Sequence, residues 1–204
     1  MGQLVKKVLI AGVGSLAVIG GILLPAVAFA AVSDSKNTTI NANIGSTISI
    51  NSTSGTVNLA ITPTGSGSAT SASDTVSVST NNALGYILQL SSSSAQVTLT
   101  NGANTIAASA GTQAAPITLA NNTWGYRVDG IGGFLSGPTS AQTNQSSLTG
   151  LWAGIPASGS PNTIRTTNAT ATNETTVVWY GAKADTSKPN GTYQNTVTYT
   201  ATTQ

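Results

Sequence analysis

The stretch "DTVSVSTNNALGYILQL", Asp74 to Leu90, decides how the chain is read. Val76 and Val78 recur at every second position before the turn, and Tyr86, Leu88 and Leu90 do so after it. An extended backbone sends successive side chains to opposite faces, so each run carries one apolar face and one polar face. Between them, Ser79 to Gly85 is rich in Asn and Gly, the chemistry of a reversal.

The same period extends outward. It places Ile48 and Ile50 on one face of "STISIN", Val57, Leu59 and Ile61 on one face of "TVNLAIT", and Val97 and Leu99 on one face of "QVTLT". Turn chemistry at Asn51–Gly55 and Thr100–Asn104 punctuates these runs. Apolar residues do not recur at helical spacing after Ala31, and threonine disfavours helix interiors. The expected fold is all-β: an antiparallel β-sandwich, Ig-like or jelly-roll-like, of about nine or ten strands, preceded by an N-terminal signal helix.

The closing stretch "TVVWYGAKADTSKPNGTYQNTVTYTATTQ" (Thr176–Gln204) repeats the pattern twice. Its first run is apolar on both sides, with Val177 and Trp179 on one and Val178, Tyr180 and Ala182 on the other, as in a strand covered on both faces. Its second puts Tyr193, Asn195, Val197, Tyr199 and Ala201 on a core face and a row of threonines on the other. Pro189-Asn190-Gly191 between them predicts a hairpin. The cover for the first run's second face is expected from the Gly/Ser-rich insertion 129–161, which is too long for an ordinary connection and carries Ile131, Phe134, Leu135, Leu151, Trp152 and Ile155.

Residues 31–204 are read as one domain; a chain of this length buries roughly 70% of its unfolded surface, enough for a core without disulfides. The alternative is a linker at Thr62–Asp74, "TPTGSGSATSASD". Residues 1–30 are set apart. Lys6 and Lys7 precede an apolar run from Val8, and Ala28 and Ala30 form an A-x-A site before Ala31, the pattern of a Sec-type signal peptide cleaved there. An uncleaved N-terminal anchor is the alternative, since about 20 apolar residues span a bilayer. Either way the remainder is expected to be extracellular or on the cell surface, and a membrane partner only through an uncleaved N-terminus.

Past Ala31 the five cations (Lys36, Arg127, Arg165, Lys183, Lys188) balance five acids (Asp34, Asp74, Asp129, Glu174, Asp185). Scattered cations do not displace phosphate counterions, so no nucleic-acid partner is expected. Solubility falls instead to 33 Thr, 24 Ser and 17 Asn.

The runs "DTVSVSTNNALGYILQLS", "NNTWGYRV", "TVVWYGAKA" and "PNGTYQNTVTYTATT" together resemble uncharacterised secreted β-sandwich surface proteins of candidate phyla radiation bacteria (Patescibacteria/Saccharibacteria-like). They are also distantly similar to WxL-type cell-wall-binding domains, a similarity that implies noncovalent attachment to a cell surface. The residues two after Trp124, Trp152 and Trp179 are Tyr126, Gly154 and Gly181, where that motif has leucine.

The chain has no histidine and no cysteine. That removes an imidazole base, a Ser-His-Asp triad and an ordinary zinc site, and a lipid-modified cysteine is not expected either. The acids are spaced too widely in sequence to suggest a carboxylate pair. No enzymatic activity, cofactor or metal is expected. Gln204 ends the chain without an LPxTG-type motif, so sortase anchoring is not expected. The expected function is an exported, non-catalytic structural or adhesive cell-surface role, as an envelope, S-layer or pilus-like component partnered by the envelope or by itself. The alternative is a carbohydrate-binding module that takes polysaccharide on exposed Trp152, Trp124 and Trp179. A further device to test is a Lys36–Asn195 isopeptide bond assisted by Glu174.

Overall fold

A computed structural model describes residues 34–204, so the signal segment and its cleavage residues Ala28, Ala30 and Ala31 lie outside the described residues. The chain divides into two units, Met1–Ala42 and Asn43–Gln204. Residues 34–47 carry no regular structure. The second unit is all-β, with ten strands among the described residues.

Two long strands form its spine. β2 (Ser68–Thr80) and β9 (Ala171–Ala184) run antiparallel along their full lengths, from Ser68 opposite Ala184 to Thr80 opposite Ala171. β1 (Ile48–Ser52) and β7 (Gln142–Gln145) share the outer edge of β2. On the far side of β9 follow β6 (Thr123–Arg127), β5 (Asn104–Ala108) and β4 (Leu99–Asn101), β5 being parallel to β6. These seven strands make one curled sheet. The second sheet has three: β10 (Val197–Thr203), β3 (Tyr86–Ser92) and β8 (Asn162–Thr166), with β3 central. The arrangement is sandwich-like.

The core lies where alternate residues meet between the sheets. Val76 and Val78 of β2, Tyr86, Leu88 and Leu90 of β3, Tyr126 of β6, Ile164 of β8 and Val178 of β9 are all fully buried. Burial of each such side chain contributes about 1.5–3 kcal/mol. A second cluster forms on the opposite face of the large sheet, where Trp179 and Ala69 meet Leu119, Leu148 and Trp152. The insertion does cover this face. Gly181 of β9 is bare because Trp152 and Leu148 sit on it: a Cβ there would stand 2.7 Å from Leu148 Cδ1 and 2.9 Å from the Trp152 ring.

Two expectations and one alternative are corrected. The closing hairpin does not form: β9 has both edges filled, by β2 and β6, so β10 crosses to the other sheet and pairs with β3. Its facing is as expected, with Val197, Tyr199 and Ala201 half-buried and Thr198, Thr200 and Thr202 exposed. Second, Val57, Leu59 and Ile61 pack half-buried against the core, yet their segment joins no ladder. The edge of β2 that would receive it is held by β1, by the Thr53 N–H to Thr75 carbonyl bond (3.0 Å), and by β7. Third, Thr62–Asp74 is not a linker. β2 starts inside it at Ser68, and Ser68, Ala69, Thr70 and Ser71 are buried between β7 and β9. Small side chains suit a strand with neighbours on both edges and a loop over its face.

Candidate functional site

Where the two sheets part, a cleft of about 1000 Å³ opens onto the inner face of the large sheet. Trp124, Tyr180, Ala182 and Ala184 from β6 and β9 line it. So do Val57, Leu59 and Ile61 from the unladdered segment, and Tyr193, Val197 and Tyr199 from the approach to β10 and from β10 itself. Period-2 spacing explains why each group is apolar: alternate residues of three separate segments converge here.

Deep in the cleft sits a small polar cluster. The Tyr180 and Tyr199 hydroxyls lie 2.6 Å apart. Burial pushes both phenols up, and for Tyr180 the neighbouring Tyr199 and the Asp74 carboxylate add to it. Both therefore stay protonated at neutral pH. Asp74, only 5% exposed, accepts from Ser52 Oγ at 2.7 Å, from Thr53 Oγ1 at 3.3 Å and from the Ser54 N–H at 3.2 Å. Those bonds fix the turn that leads out of β1 into the cleft wall.

Three further carboxylates are likewise tied to local structure. Asp129 accepts from Arg127 Nε at 2.9 Å and from the Gly137 N–H at 3.2 Å. Glu174 accepts from the Tyr86 hydroxyl at 3.2 Å and pairs with Arg165. Burial, reinforced by Glu174, pushes Tyr86 up to about 12. Asp185 closes its own turn by accepting from the Ser187 N–H and hydroxyl, which hold its carboxyl down at about 2.

Arg127 is the residue that sequence reasoning missed. It is fully buried, and it donates from Nη2 to the Leu135 carbonyl (2.5 Å) and from Nη1 to the Leu151 carbonyl (3.3 Å), so it gathers both ends of the insertion. Its Cζ lies 5.9 Å from the Phe134 ring centre. Gly137 and Gly150 are glycine because a Cβ would fall 2.2 and 1.7 Å from the guanidinium. The signal in sequence was slight: an arginine two residues before Asp129, ahead of a glycine-rich stretch.

The tryptophans chosen for glycan contact offer no exposed ring. Trp152 is fully buried, Trp124 is 3% and Trp179 is 7% exposed. Trp152 packs on Gly181 and bridges by its backbone to Ile117, while Trp124 Nε1 donates to the Val97 carbonyl at 2.9 Å. Of the isopeptide residues, Glu174 and Asn195 are held apart. Glu174 touches Tyr86 at the start of β3, and Asn195 meets Ser92 at its end, roughly 20 Å along the strand. The Asn195 amide is already engaged, donating to the Gln96 (3.0 Å) and Thr98 (2.9 Å) carbonyls. Lys36 is exposed and belongs to the first unit.

Comparison with protein families, with curated proteins and with solved structures found no match.

Proposed function

We propose that this chain is an exported, non-catalytic component of a cell surface with a structural or adhesive role. The observation that carries the reading is how the charged groups are used. Asp74, Asp129, Glu174, Asp185, Arg127 and Arg165 are spent on turns, on the insertion and on strand clasps, so that beside Asp34, Lys36, Lys183 and Lys188 the outer surface is made of hydroxyls and amides. A surface of that kind suits lateral packing or adhesion, and the apolar run from Val8 supports export. Fractionation of native cells tests it. The protein is expected with the envelope or wall; recovery in the cytoplasm overturns it.

A second reading keeps the polysaccharide partner but moves it from the tryptophans to the cleft, where Tyr193 and Tyr199 are half-exposed. Quenching of tyrosine fluorescence by cell-wall polysaccharide would favour it.

A further inference from the structure

Resting on the surface-component reading, we propose that copies of this chain associate by strand donation: residues 37–45 of one copy enter the cleft of a second and pair with the free edge of its β10.

The donor is strand-competent and, among the described residues, joins no ladder. "NTTINANIG", Asn37–Gly45, alternates Ile40, Ala42 and Ile44 with Asn41 and Asn43. Ile40 and Ile44 are each 88% exposed, an unusual state for large β-branched apolar side chains. Their phase continues into Ile48 and Ile50 of β1. The ladder cannot continue upstream with them, because β2 ends at Thr80, opposite Ile48. The Asn81 side chain takes over there, accepting from the Thr47 N–H (2.7 Å) and donating to the Gly45 carbonyl (2.8 Å). Nine extended residues reach about 30 Å.

The acceptor lacks a strand. Among the described residues three strands face seven, and β10, near which β1 passes, ends the smaller sheet with a row of backbone groups that pair with no ladder. Beside that edge lies the apolar cleft, whose other wall, Val57–Ile61, belongs to no ladder. A strand added to β10 would turn Ile40, Ala42 and Ile44 onto Trp124 and Tyr180 and leave Asn41 and Asn43 outward beside Thr198 and Thr200. This is β-augmentation: main-chain bonds supply affinity and alternate pockets supply register. Because the surfaces given and received differ, the contact is head-to-tail and builds rings or filaments.

The full chain contains no cysteine, which makes the test direct. One copy carries Ile44→Cys, and a second, differently tagged copy carries Thr196→Cys at the cleft rim; they are mixed under mild oxidation. The expected result is a disulfide-linked heterodimer well above an Ile44→Cys and Ser140→Cys control, lost when the donor also carries Ile40→Lys. A chain carrying both cysteines should give a ladder of multimers. The proposal is overturned if the heterodimer does not exceed the control, if Ile40→Lys leaves it unchanged, or if the double-cysteine chain closes only on itself. It is also overturned if cell-wall polysaccharide, rather than a second copy, protects the Thr196→Cys thiol from alkylation. Cell fractionation is independent of these outcomes, so a monomer found in the envelope would end the donation proposal alone.

Discussion

The large sheet is covered twice, and the two covers differ in kind. On its outer face the insertion 129–161 closes over β9 around Trp179 and Gly181, with Trp152 and Leu148 buried there, while Val177 farther up the strand stays 42% exposed. On its inner face the segments around Val57–Ile61 and Tyr193–Val197 leave their apolar residues half-buried beside a cleft of about 1000 Å³. Hydrophobicity alone does not separate them, since both covers supply large apolar side chains. What separates them is backbone anchorage. The outer cover is drawn in by one buried guanidinium that satisfies carbonyls at both of its ends, whereas the stretch Val57–Ile61 has no ladder to join.

Removing the anchor should have the largest effect. Arg127→Ala removes a fully buried guanidinium together with its bonds to the Leu135 and Leu151 carbonyls and to Asp129, so a loss of about 3 kcal/mol is expected, read as a lower urea midpoint. A loss below about 1 kcal/mol would mean that the pairing of β7 with β2 and the backbone bonds of Trp152 and Ala153 hold the insertion without the guanidinium, and the comparison would fail. Next comes the surface on which the insertion rests. Gly181→Ala drives a methyl into the Trp152 ring and Leu148, and a loss of about 2 kcal/mol is expected by the same measurement.

How much of this could be seen in the sequence follows from which interactions are local. Period-2 alternation assigned faces correctly at Val76, Leu88, Tyr199 and even Leu59, because facing depends only on an extended backbone. Pairing depends on which edges remain free. That is why β10 was given the wrong partner and Val57–Ile61 a ladder it lacks. β7, "QTNQ", and β8, "NTIRT", carry at most one apolar residue each and so gave no periodic signal. Arg127 was hidden for a related reason: its partners are main-chain carbonyls 8 and 24 residues away, which no side-chain pattern records. The tryptophans were legible as core or contact residues, and only the fold decides that the core holds all three.

Alkali tests by titration the closed core between the sheets, into which the insertion sends Phe134. Tyr126 packs edge-on against Phe134 of the insertion, and burial pushes its phenol up to about 12, opposed by the Asn162 amide. The folded chain thus keeps a proton that the unfolded chain sheds near 10. This contribution is complete below pH 10 and is lost as pH rises from 10 toward 12. At pH 11 it amounts to about 1 kcal/mol. Tyr126→Phe, which cannot ionise, should flatten the stability-against-pH curve in that window.

The smallest effect is expected on the loose side. Truncating the fully buried Leu88 to alanine should lose about 3 kcal/mol, because atoms are removed from a closed core. Leu59→Ala removes the same atoms from a side chain that water already reaches, so under about 1 kcal/mol is expected in the monomer. The ratio of the two losses therefore measures how open the cleft is. If Leu59→Ala approaches the Leu88→Ala value in dilute monomer, the inner cover is as closed as the outer one and anchorage is not the distinction. If the two converge only as protein concentration rises, Leu59 is being buried by association, since a partner that binds only the folded chain stabilises it by mass action.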